Sequence, residues 1–60
     1  MTLRFVNQAG FQVEIKDLKP GRRTVMTLKD KNGKLLILDL IDDIESEVAK
    51  LSLQGYVEVR

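Results

Sequence analysis

Asn7-Gln8-Ala9-Gly10 and Asp30-Lys31-Asn32-Gly33 each separate two runs of strand-forming residues, and this pairing limits the chain to folds built on hairpins. Asn or Asp suits the first position of a type I turn because its side chain bonds backbone groups further along, and Gly suits the fourth. In a three-residue hairpin loop the residue after the turn is left-handed, a conformation that costs Gly nothing. A phosphate-cradling glycine loop would lead into a helix N-terminus, and neither segment does. Both segments therefore read as turns.

Side-chain alternation sets the expected register, since a one-residue slip moves every side chain to the other face. Pairing Asn7 with Phe11 puts Phe5 opposite Val13 and Leu3 opposite Ile15, so every apolar position except Val6 agrees. Pairing Asp30 with Lys34 puts Leu28 opposite Leu36, Met26 opposite Leu38 and Thr24 opposite Leu40. A two-residue loop at Asn32-Gly33 would set Met26 against Asp39, which favours the three-residue loop.

Pro20-Gly21 suits the central positions of a type II turn between the second and third strands. The result is a meander of four strands over 2–6, 11–16, 23–29 and 34–40. The period then changes. Asp42, with Glu45 three residues later, has capping-box spacing, and acids crowd the first turn where the helix dipole favours them. Ile41, Ile44, Val48 and Leu51 form a helical stripe that Gly55 can terminate, with Leu53 off the stripe and exposed. Tyr56-Val57-Glu58-Val59-Arg60 alternates again as a short fifth strand, paired to a sheet edge or to another molecule. The expected fold is a single α+β domain over residues 1–60, ββββαβ, with a mainly antiparallel sheet and one helix packed on one face. Its expected core is Leu3, Phe5, Phe11, Val13, Ile15, Met26, Leu28, Leu36, Leu38, Leu40, Ile44, Val48, Leu51 and either Val57 or Tyr56.

A chain of 60 residues buries only about 60% of the surface its unfolded form exposes, so its stability is marginal without help. The absence of Cys and His removes disulfides, thiol nucleophiles, imidazole bases and the common zinc sites. Ser46 and Ser52 lack a histidine for a Ser-His-Asp arrangement. Asp42, Asp43, Glu45 and Glu47 lack the spacing of a calcium loop, and a capped helix start accounts for them. No catalysis, cofactor, metal or small-molecule substrate is expected, which leaves partner subunits as the available aid to stability.

Net charge is +1, with the charges segregated along the chain. Lys16, Lys19, Arg22, Arg23, Lys29, Lys31 and Lys34 make 16–34 basic, whereas Asp39, Asp42, Asp43, Glu45, Glu47 and Glu58 make 35–60 acidic. Such charges also serve solubility. The candidate interaction residues are Lys19, Arg22, Arg23, Lys29 and Lys31 on the basic side, with Asp42, Asp43, Glu45 and Glu47 on the acidic side.

The run TVMTLKDKNGKLLILDL resembles a strand–turn–strand of the small Sm and SH3-like RNA-binding barrels, over under a third of the chain. KPGRR with Lys29, Lys31 and Lys34 would form a basic sheet patch that contacts phosphates, although the two Phe fall on the core face and leave no stacking platform. LSLQGYVEVR is similar to the end of a winged-helix recognition helix, but one helix cannot build a helix-turn-helix. The expected function is a non-catalytic protein–protein interaction or assembly module, such as a minor structural component of a phage particle or similar complex. Its partner would be another protein or a second copy. A small nucleic-acid-binding regulator is the alternative. The longest apolar run, Leu35 to Leu38, is far short of the roughly 20 residues that span a bilayer, and the strand-like start with Arg4 inside it lacks the apolar block of a secretory leader. A cytoplasmic or virion setting is expected.

Overall fold

The computed structural model describes residues 2–17 and 24–59. In chain order these form β1 (Thr2–Val6), β2 (Gln12–Asp17), β3 (Thr24–Lys29), β4 (Leu35–Ile41), α1 (Ile44–Leu53) and β5 (Val57–Val59). One sheet results, of order β4-β3-β2-β1-β5 and antiparallel throughout. The α+β architecture read from the sequence is the one observed. β5 joins the free side of β1, so α1 carries the chain from one edge of the sheet to the other. The expected Pro20-Gly21 turn lies outside the described residues.

Both Asx-to-Gly segments fold as three-residue loops. The Asn7 carbonyl accepts from Gly10 N at 3.1 Å, and the Asp30 carbonyl accepts from Gly33 N at 3.0 Å. The Asn7 side chain also accepts from Phe11 N (2.9 Å), while the Asp30 carboxylate accepts from Asn32 N and Lys34 N, both at 2.9 Å. Gly10 and Gly33 sit at φ 87° and 85°, the left-handed region that side chains resist.

The first hairpin keeps the register that alternation demands, with Leu3 opposite Ile15 and Phe5 opposite Val13. The second does not. Lys29 pairs with Leu35 but Leu28 pairs with Ile37, leaving Leu36 as an extra, unpaired residue. This β-bulge exchanges the two faces of the rest of the strand. Met26 therefore stands opposite Asp39 even though the loop has three residues, and Thr24 stands opposite Ile41.

The bulge corrects the expected core. Phe5, Val13, Ile15, Ile41 and Leu51 are its buried members, with Leu3, Met26, Leu28, Ile44, Val48 and Tyr56 packed around them. Ile41 ends β4 and does not belong to the helix. Leu36, Leu38 and Leu40 are exposed, and Phe11 is only half-buried beside its turn. Tyr56 rather than Val57 faces the core. Thr24 is buried too, its hydroxyl satisfied by donating to the Asp17 carboxylate.

A ten-residue helix is marginal alone, so α1 depends on packing and caps. Its N-cap is Asp43, not Asp42: the Asp43 carboxylate accepts from Ser46 N at 3.2 Å. At the far end Tyr56 N donates to the Leu51 carbonyl and Gly55 N to that of Ser52, a Schellman arrangement with Gly55 at φ 89°. The helix thus stops within reach of β5, and Leu53 points away at 88% exposure.

Candidate functional site

β1 and β2 spend apolar side chains on one face and polar ones on the other. On the outer face of the sheet the register aligns Thr2 with Lys16 and Arg4 with Glu14. Arg4 and Glu14 form an exposed ion pair at 3.3 Å, the ordinary dress of a solvated face. β4 differs in kind. Its sequence, LLILDLI, is apolar on both faces, as in strands covered from both sides.

Among the described residues neither face of β4 is covered before Ile41. Leu35, Leu36, Ile37, Leu38 and Leu40 are all between 46 and 60% exposed. Leu38 and Leu40 lie opposite Thr27 and Val25 in β3, and so share the outer face. On the inner face an open cleft of ≈190 Å³ lies between Ile37, Met26 and Leu28 of the sheet and Leu51 and Tyr56 beyond it. The helix therefore shields the middle of the sheet better than its β4 side.

Among the described residues the backbone edge of β4 is open as well, because β4 ends the sheet. Leu40 N–H turns away from β3, and the carboxylate of Asp39 accepts it at 2.9 Å. Peptide groups alternate in direction along an antiparallel strand, so Leu38 N–H and C=O face the same free edge. An unpaired edge of this length, flanked by large apolar side chains, is a template for a further strand. Asp39 is the single charge within it.

The sequence-derived interaction residues are placed unevenly around this edge. Lys19, Arg22 and Arg23 lie outside the described residues. Lys29 and Lys31 are exposed at the turn that begins β4, with Lys34 beside them. Asp42, Asp43 and Glu45 are exposed where β4 runs into α1, and Asp43 is engaged as the helix cap. Glu47 belongs to neither end, being half-buried on α1 with Lys50 Nζ 3.6 Å from its carboxylate. Sequence reading missed the apolar edge itself. Its signal was present in Leu35-Leu36-Ile37-Leu38, the one strand segment without a polar residue at alternate positions.

Among the described residues no group of three His, Cys, Asp or Glu side chains is placed to hold a metal ion. No helix among them is long and apolar enough to cross a membrane. Set against family models, curated proteins and solved structures, the chain matches none.

Proposed function

We propose that this protein is a non-catalytic protein–protein interaction or assembly module that works through the edge of β4. The observation behind this reading is the exposure of Leu35, Leu36, Ile37, Leu38 and Leu40 along an unpaired strand. Removing apolar surface from water yields about 25 cal/mol per Å², so covering these side chains would add stability that a chain this short needs. The mode is strand addition: main-chain hydrogen bonds supply affinity and alternate side chains supply specificity. A structural part of a phage particle or similar complex, made in the cytosol, is the setting that this reading favours.

The nucleic-acid alternative has less behind it. Phe5 is buried and Tyr56 packs against the core, which leaves few aromatic faces for bases to stack on. Isolation of the tagged chain from its native source, with its complex intact, tests the proposal. Leu38→Lys combined with Leu40→Lys should release the chain from that complex while leaving its circular dichroism unchanged. Recovery of the wild-type chain as a free monomer, or bound only to nucleic acid in a salt-sensitive way, would contradict it.

A further inference from the structure

We infer that the strand that covers β4 is β4 of a second copy, laid antiparallel across a twofold axis at Leu38. The inference rests on the interface reading above and goes on to identify the partner. Three features of the edge favour a copy of itself.

Charge is the first. Lys29, Lys31 and Lys34 stand at one end of β4, whereas Asp42, Asp43 and Glu45 stand at the other. Antiparallel pairing reverses one strand, so the basic end of each copy meets the acidic end of the other. A twofold contact satisfies both ends at once, because any pair it makes is made twice.

Register is the second. With the axis at Leu38, Leu36 of one copy stands opposite Leu40 of the other and Ile37 opposite Asp39, and Lys34, just beyond the bulge, comes beside Asp42. An axis at Asp39 would set two carboxylates against each other, and like charges directly opposite are destabilising. An axis at Ile37 would need hydrogen bonds from a residue whose N–H and C=O face β3. Axes that fall between residues would align the outer face of one sheet with the inner face of the other. Leu38 is the axis that avoids all three faults.

Backbone direction is the third. Leu38 N–H and C=O both face the free edge, so the two copies of Leu38 can exchange a reciprocal pair of hydrogen bonds. Leu40 N–H, now bonded to Asp39, would pass to the Leu36 carbonyl of the other copy. Leu38 then meets its counterpart, with Leu40 beside it, on the outer face of a sheet continuous across both molecules.

The chain has no cysteine, so single introduced thiols report the contact cleanly. In a hydrogen-bonded antiparallel pair the Cα atoms are about 5.5 Å apart, within the range of roughly 4.4–6.8 Å that a disulfide accepts. Leu38→Cys should therefore link two copies under mild oxidation, and Leu53→Cys, on the exposed helix end, should not. Sedimentation of the purified wild-type chain should show a monomer–dimer equilibrium, and Leu38→Lys should give monomer at every concentration. Lys34→Glu should weaken the dimer several-fold, and adding Asp42→Lys in the same chain should restore it, since a real contact couples the two changes.

A purified chain that stays monomeric up to high micromolar concentration, with no more linkage at Leu38→Cys than at Leu53→Cys, overturns the second-copy inference. If Leu38→Lys with Leu40→Lys still frees the chain from its native complex, the interface reading stands and the partner is another protein. If it does not, both fail.

Discussion

The two hairpins of this protein share a turn and diverge immediately after it. In each, an Asx residue and a left-handed glycine bracket a three-residue loop with matching hydrogen bonds. After Gly10 the chain alternates as Phe11, Val13 and Ile15 on one side with Gln12, Glu14 and Lys16 on the other, which permits one register only. After Gly33 four consecutive apolar residues permit either face to turn inward, and the strand takes a bulge at Leu36. A turn decides where a hairpin begins; alternation decides which way its side chains point. The first hairpin and β3 consequently build the core, and β4 before Ile41 supplies a surface.

That contrast predicts the largest differences between substitutions. Ile15, 2% exposed at the centre of β2, should lose about 2–5 kcal/mol on replacement by Ala. In a domain this small that approaches its whole stability. Leu38→Ala on β4 should change the stability of the monomer by no more than about 0.5 kcal/mol, as ordinary surface substitutions do. Denaturant unfolding at low protein concentration measures both. Similar losses at the two positions would mean that Leu38 also faces the core.

A smaller difference separates the two turn glycines. Gly33 has open space around the position of a Cβ, whereas a Cβ on Gly10 would lie 3.0 Å from Lys31 Cβ. Forcing a side chain into the left-handed region costs on the order of 1–3 kcal/mol at either site. Gly10→Ala should exceed Gly33→Ala, because only at Gly10 must the neighbouring loop also move. Thermal melts of the two variants decide this, and equal losses would mean that the two loops do not meet.

The smallest effect is the most specific to the bulge. Deleting Leu36 leaves Lys29 opposite Leu35 and Leu28 opposite Ile37, so no later residue changes face. Deletion should shift stability by about 1 kcal/mol or less, the scale of an ordinary single substitution. Unfolding curves of the variant and the wild-type chain measure this, and a loss on the scale of Ile15→Ala would mean that Leu36 is part of the core.

Most of the architecture was legible in the sequence for local reasons. Asn7, Gly10, Asp30 and Gly33 announce their turns through their own conformational preferences, and Gly55 announces the helix end. The face of β4 was not legible, because Leu36, Leu38 and Leu40 make as good an apolar set as Ile37 and Ile41. The structure buries Ile41 at the entry to the helix, and that tertiary demand has no local signature. Asp39 pointed the wrong way, since avoiding a charge opposite Met26 argued for a loop that is correct and a register that is not. For the site, charge segregation drew attention to Lys29, Lys31, Asp42, Asp43 and Glu45, which do flank the exposed strand. Glu47 is instead taken up by Lys50 on its own helix.

The bulge at Leu36 is the step from which the exposed edge, the proposed function and the twofold pairing all follow. Proton NMR of the monomeric Leu38→Lys chain tests it directly, because Hα atoms approach closely across a non-hydrogen-bonded antiparallel pair. With Leu40 N–H turned to the free edge, residue 40 should show an Hα–Hα contact to Val25, and residue 38 one to Thr27, as the bulged register requires. Hα–Hα contacts from residue 37 to Thr27 and from residue 39 to Val25 would mean an unbulged strand with its leucines turned to the core, and would contradict the account.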